Sequence, residues 1–185
     1  MAARPDNPFT DRRVRKAFHL AIDRHEMLRR VLHGTGAVPT QPVAPRVFGF
    51  NPELVAPAYD PGASRQLLAE AGHGKGLPVR LDYPHGREPA ARLLQEQLAR
   101  VGVTVDLSGL DRGVLWERAS RSSLFFAGWD CSTGESSEFF QFCLHTPRDS
   151  YGAANYGGFS HARIDEIVET NAAVLDQRDR QTLLQ

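Results

Sequence analysis

Between Val14 and Ile22 the apolar positions recur every three or four residues: Val14, Ala17, Phe18, Ala21 and Ile22. That spacing is one stripe of an amphipathic helix, and Thr10 and Asp11 just ahead of it offer capping oxygens. Asp23 restarts a second helix with Met27, Leu28, Val31 and Leu32 on one side, and Gly34 and Gly36 end it. The period then disappears. Residues 34–60 carry Pro39, Pro42, Pro45, Pro52 and Pro57, a stretch too long for an ordinary loop in a compact domain. Its apolar members Val43, Val47, Phe48, Phe50 and Leu54 favour wrapping over a larger body. The stretch YDPGASRQLLAEAG restores the helical signal, with Asp60 as N-cap, Pro61 in the first turn, Ala63, Leu67, Leu68 and Ala71 on the apolar side, and Gly72 as the stop.

The pattern next alternates between period two and period 3.6. PVRLDY (78–83) and VTVDL (103–107) read as strands. Residues 88–101 and 111–120 read as helices, and SLFFAGW (123–129) reads as a third strand. Crossovers of this length join parallel strands through right-handed connections. The expected class is therefore α/β: a small, mostly parallel βαβαβ sheet over about 78–129, flanked by helices. Near the end, GFSHARIDEIVETNAAVLDQ predicts a helix capped by Ser160 and carrying Ile164, Ile167, Val168, Ala172 and Leu175. A further helix starts near Gln177 and is still running at Gln185, the pattern of a segment cut from a longer chain.

Composition narrows the function. The 185 residues suit a single domain or lobe, and 41% hydrophobic content can bury a core. Twenty-two basic residues against twenty-two acidic ones leave no positive excess, which argues against a nucleic-acid binder. Nothing resembles an apolar run of about 18 residues, so no membrane span is expected. Met1 to Phe9 is polar and does not read as a secretory signal. Cys131 and Cys143, the two cysteines, fit either one disulfide in an oxidising compartment or two buried thiols.

Catalytic and metal patterns fail on spacing. His25–Glu26 has Arg29 where a zinc helix needs its second histidine. GESSE (134–138) has Glu138 where a nucleophile elbow needs glycine. GTG (34–36) is too short for a phosphate loop, and Cys143 and His145 stand two apart and diverge on a helix. Glu135 and Glu138 share a helix face, yet carboxylates at such a junction serve better as caps. The expectation is no catalytic residue, no metal and no cofactor. The alternative kept open is a small α/β hydrolase-like enzyme using Ser136 or Cys143.

FFAGWDCSTGESSEF (125–139) is the informative stretch: an apparent strand ending in a large indole beside a carboxylate. Ligands of open parallel sheets sit beyond the carboxyl ends of the strands, where Trp129 and the loops PHGRE and SGLDRG are expected. An indole face stacks on apolar or cationic groups, and a nearby carboxylate selects an amine. The competing reading packs Trp129 beneath the 34–60 wrap.

Several stretches together resemble the C-terminal lobe of the family 5 extracellular solute-binding proteins, the oligopeptide, dipeptide and nickel-type receptors of bacterial ABC importers. They are NPFTDRRVRKAFHLAIDRHEMLRRVLHGTG, QPVAPRVFGF, YDPGASRQLLAEAG, EQLARVGVTVDL, AGWDCSTGE and NYGGFSHARIDEIVET, covering about Asn7 to Gln185. The helix D-x-R-V-R-x-A-x-x-x-A-I-D-R, here Asp11 to Arg24, is the most specific. The resemblance implies a type II periplasmic-binding-protein-like architecture. Residues 1–185 are then one lobe, 34–60 its wrapping segment, and the N-terminal lobe is absent. It also implies a peptide-like or other small polar ligand, hinge closure, a membrane permease as partner, and a periplasmic or lipoprotein location for the full-length form. A sensor module reusing the lobe is compatible with the same pattern. In the family the tryptophan ending this strand lies at the ligand cleft before an acidic, often Asp-Pro, turn. Here Trp129 matches, the turn has no Asp-Pro, and Asp130 and Glu135 are the acids placed to substitute. Asn155 and Tyr156 fall where the family often has an Asn before an aromatic, as ligand contacts or as loop structure.

Overall fold

The structure is a computed structural model that describes residues 7–185. It resolves into two compact units. One comprises the described residues up to 38 together with 57–127; the other comprises 39–56 and 128–185.

The first unit is built on a three-stranded parallel sheet. Helix α1 (Arg12–Ala21) begins at Asp11, whose carboxylate accepts from the Arg13 amide at 2.7 Å. Its expected stripe is buried at Val14, Ala17, Phe18 and Ala21. Helix α2 (Arg24–Val31) is capped by Asp23, and α3 (Pro61–Glu70) by Asp60, which accepts from Ala63 N at 2.8 Å. Ser64 on α3 is fully buried and donates to the Ala17 carbonyl at 2.8 Å, joining α3 to α1. The sequence places a hydroxyl inside an apolar interface there because the Ala17 carbonyl gives it a partner.

Strand β1 (Leu77–Pro84), helix α4 (Glu88–Ala99), strand β2 (Val103–Leu110), helix α5 (Arg112–Arg118) and strand β3 (Leu124–Phe125) follow. The order is β2-β1-β3, all parallel, with β1 and β2 in continuous register from Leu77↔Val103 to Pro84↔Leu110. The expected parallel βαβαβ sheet is present. Its core unites Val79, Leu81, Val103 and Val105 with Phe18, Leu68, Ala91 and Leu98.

Within this unit some expectations need correction. The third strand is not 123–129: β3 pairs with β1 only at Leu124 and Phe125, and the Phe126 amide adds one bond to the Asp82 carbonyl at 2.8 Å. The chain leaves this edge after Phe126 and passes into the other unit, so Trp129 lies beyond the strand on a loop. Helix α2 keeps Met27, Leu28 and Val31 half-buried on its apolar side, whereas Leu32 is 50% exposed. Polar bonds add to the hold: Glu26 meets Gln97 at 2.9 Å and Arg100 at 2.8 Å, both on the α4 side.

In the second unit the Pro-rich segment is ordered by hydrogen bonds of its own. Gln41 bonds Asn51 twice, at 2.7 and 3.1 Å. Phe48 brackets the loop 134–136: its amide donates to the Gly134 carbonyl and its carbonyl accepts from the Ser136 amide, each at 2.9 Å. Val43 is buried. A short helix α6 (Ser137–Phe139) runs into a π-helical turn, Phe140–Leu144, and α7 (Ala162–Ala173) and α8 (Gln177–Leu184) complete the unit. Ser160 does not cap α7: the helix starts at Ala162 after His161, and the Ser160 hydroxyl is engaged by Thr146 Oγ1 at 2.9 Å. Of its expected apolar face, Val168 is buried and Ile164 and Ile167 are half-buried, whereas Ala172 is exposed and Leu175, beyond the helix end, is 96% exposed; the polar Asn171 is buried as well. Among the described residues no helix is long and apolar enough to cross a membrane.

Candidate functional site

Trp129 and Asp130 open the loop that leads from β3 into α6. The indole leans on the Phe142 ring, with centroids 5.9 Å apart and planes tilted by 39°, and 39% of the residue stays in solvent. A tryptophan packed on one side and wet on the other is an aromatic platform held in a fixed orientation. Asp130 is exposed beside it, and among the described residues it forms no ion pair.

The rest of the loop is pinned. The Glu138 carboxylate accepts from the Thr133 amide at 2.9 Å, the Thr133 hydroxyl at 2.9 Å and the Ser132 hydroxyl at 3.0 Å. These bonds, led by the Thr133 amide, hold the Glu138 carboxyl below its ordinary range. Glu135 faces a different way. Its carboxylate is paired with Arg180 of α8 and its backbone bridges Phe48. Glu135 and Glu138 are therefore not a pair of acids, and the Glu135 charge is already compensated.

Asn155 is buried, and its side chain is consumed by the loop it sits in. Nδ2 donates to the carbonyls of His145 at 2.9 Å and Phe159 at 2.7 Å, while Oδ1 accepts from the Phe159 amide at 3.0 Å. Tyr156 follows it, half-buried. Of the five residues singled out from sequence, Trp129 and Asp130 share an exposed edge, whereas Glu135 and Asn155 are engaged in internal bonds.

The candidates for chemistry are poorly placed for it. Ser136 is fully buried. Cys131 and Cys143 are unbonded and half-buried, and burial pushes the Cys143 thiol up to about 11, with the neighbouring Cys131 adding to the rise. His145 is fully buried, stacked on Tyr151 at 4.2 Å, with Nε2 2.9 Å from Glu169 and Nδ1 2.7 Å from the Thr146 carbonyl. That is a structural cluster tying the loop after the π turn to α7. Among the described residues no three His, Cys, Asp or Glu side chains gather to hold a metal.

Sequence reasoning missed Phe142, on which Trp129 rests, and Arg180, which neutralises Glu135. Phe142 sits within an aromatic run, FFQF, that reads as core. Arg180 lies 45 residues from its partner, beyond the reach of any local pattern.

The profile described as "Bacterial extracellular solute-binding proteins, family 5 Middle" matches residues 2–151. The chain belongs to this family. It is 28% identical over 189 residues to the glutathione-binding protein GsiB of Pectobacterium atrosepticum, covering 95% of this chain and 36% of that protein. It is 25% identical over 182 residues to the dipeptide-binding protein of Escherichia coli K12, covering 94% and 34%. Among solved structures, the periplasmic binding protein DppA of Helicobacter pylori in complex with the peptide STSA superposes with a TM-score of 0.89. There the identity is 21%, covering 97% of this chain and 36% of that one. This likeness shows the fold: the sheet and its helices are those of a periplasmic-binding-protein fold. The chain spans about a third of the length of the curated relatives it matches. These family members and structural neighbours are binding proteins.

Proposed function

We propose that this chain is one lobe of a solute receptor of a bacterial ABC importer, and that Trp129 and Asp130 form its edge of the ligand cleft. The observation that carries the reading is the half-exposed indole braced by Phe142 beside the exposed Asp130 carboxylate. A ligand amine would meet the carboxylate while its apolar or cationic body lies on the ring. Glu135, neutralised by Arg180, contributes little to that attraction. Asn155 shapes the loop and Tyr156 is the remaining candidate contact. The second lobe would supply the opposite wall, ligand would bias a hinge toward closure, and a membrane permease would read the closed form. The full-length receptor would be periplasmic or a surface lipoprotein. The reading is binding: full burial of Ser136 and the burial-raised Cys143 thiol disfavour both residues as nucleophiles. The solute class is a small polar molecule with a cationic group, a peptide-like compound included.

The test is calorimetric titration of the full-length receptor with a dipeptide and peptide panel. Trp129→Ala should weaken binding by about thirtyfold, from about 2 kcal/mol for a desolvated cation–π contact. Asp130→Asn should weaken amine-bearing ligands selectively. Unchanged affinity in both variants removes these residues from the site.

A further inference from the structure

Cys131 and Cys143 lie on the two pieces of chain that make the tryptophan platform. The loop carrying Cys131 is fastened to the following helix on either side of the cysteine. Before it, Trp129 rests on Phe142. After it, Ser132 and Thr133 bond Glu138. Glu138 and Phe142 are one turn apart, and so are Phe139 and Cys143. The Phe139 amide lies near the Cys131 sulfur, and Cys143, one turn further on than Phe139, is near enough for the two thiols to influence each other's ionisation. The contacts of Trp129 and Glu138 bring the segment that carries Cys131 against the segment that carries Cys143.

We propose that Cys131 and Cys143 are joined by a disulfide in the exported protein, locking the Trp129 loop onto the π-helical turn. The oxidant is a disulfide of the compartment, small-molecule or protein. Cys131, the less shifted of the two thiols, attacks it as thiolate; a mixed disulfide forms and one thiolate leaves. Cys143 then attacks the Cys131 sulfur and expels the second thiolate. One external disulfide becomes two thiols, which take the two protons released by the cysteines. Burial raises both thiols, so the exchange runs fastest while the chain is still folding and the sulfurs are wet. Once closed, the bond is shielded by the same burial. This inference is independent of which solute is bound.

The experiment uses full-length receptor exported to an oxidising compartment, purified without reductant, denatured, alkylated with iodoacetamide and digested unreduced. Cleavage after Glu135 and Glu138 separates the two cysteines, so the bond appears as a linked pair of fragments lacking alkyl groups. Alkylated Cys131 and Cys143, or a link from either to a cysteine outside this segment, overturns the proposal. Thermal unfolding gives the second readout. Cys131→Ser, Cys143→Ser and the double variant should lower Tm equally, by a few degrees, and parent reduced while denatured and then refolded with its thiols blocked should match them. An oxidised parent with the same Tm as the variants overturns it as well.

Discussion

Helix α2 tests how much of this fold depends on charge, because none of its residues is fully buried. Its anchor is Glu26, only 15% exposed at the side chain and bonded to Arg100, Gln97 and Arg30. The Arg100 guanidinium, with the Gln97 amide after it, lowers the Glu26 pKa from 4.5 to about 2. A drop of roughly 2.5 units is worth at most about 3.4 kcal/mol at about 1.36 kcal/mol per unit. Arg100 and Arg30 are 41% and 48% exposed, so solvent screens the pair. About half that ceiling, ~1.5–2 kcal/mol, is the reasonable expectation. The folded pKa is depressed, so the stabilisation is present above the unfolded value of 4.5 and fades as pH falls toward about 2. Glu26→Gln keeps the shape and removes the charge. Amide exchange of residues 24–31 should show the variant opening more easily by ~1.5–2 kcal/mol at pH 7, with the gap closing between pH 4.5 and about 2. A gap that stays constant across that window, or is absent at pH 7, refutes the electrostatic account and would mean that α2 is held by its half-buried Met27 and Leu28.

Other outcomes can be stated more briefly. Gly49→Ala should destabilise the second unit strongly, because the residue has φ +89° and a Cβ there would lie 2.1 Å from Ser136 Oγ and 2.9 Å from Leu184 Cβ; a wild-type melting curve would contradict this. Asn155→Ala leaves the Phe159 amide and the carbonyls of His145 and Phe159 without their partner, a loss of about 2–3 kcal/mol in urea titration. Leu93→Ala, at a position 2% exposed, should cost about 2–5 kcal/mol as a cavity mutation.

The helices were legible where local chemistry decides them. Asp11, Asp23 and Asp60 each cap the helix they precede in the sequence, because an aspartate oxygen reaches its amides across only two or three residues. The sheet was legible because β1 and β2 are separated by a helix of crossover length, which leaves parallel pairing as the natural solution. What failed depended on distant partners. The length of β3 is set by where the chain must depart for the other unit, and nothing in LFFAGW signals that departure. Ser160 reads as a cap until Thr146 engages its hydroxyl from 14 residues away. Glu135 reads as an available ligand acid until α8 brings Arg180 against it. At the candidate site the residue types were visible, but which carboxylate keeps a free charge was a tertiary fact.

The same tertiary bonds explain how a loop can hold an indole in water without collapsing. The Trp129 loop is fastened at separated points: Phe142 under the ring, Glu138 on Ser132 and Thr133, and Phe48 across Gly134 to Ser136. Each bond removes freedom from the unliganded protein, so less ordering entropy is lost when a ligand arrives. The Phe48 bridge comes from the Pro-rich segment, which has no period of its own and is itself held by Gln41, Asn51 and the end of α8. Gln185 donates to the Phe50 carbonyl at 2.8 Å, and its own carbonyl accepts from Asn51 at 3.1 Å. Weakening that joint should loosen the Trp129 loop without touching any residue near the indole. Phe48→Pro removes the amide that bonds Gly134, so it should lower ligand affinity in the full-length receptor. If affinity instead holds while the loop amides exchange faster, preorganisation is not what the platform contributes, and the ring–ligand contact itself carries the binding.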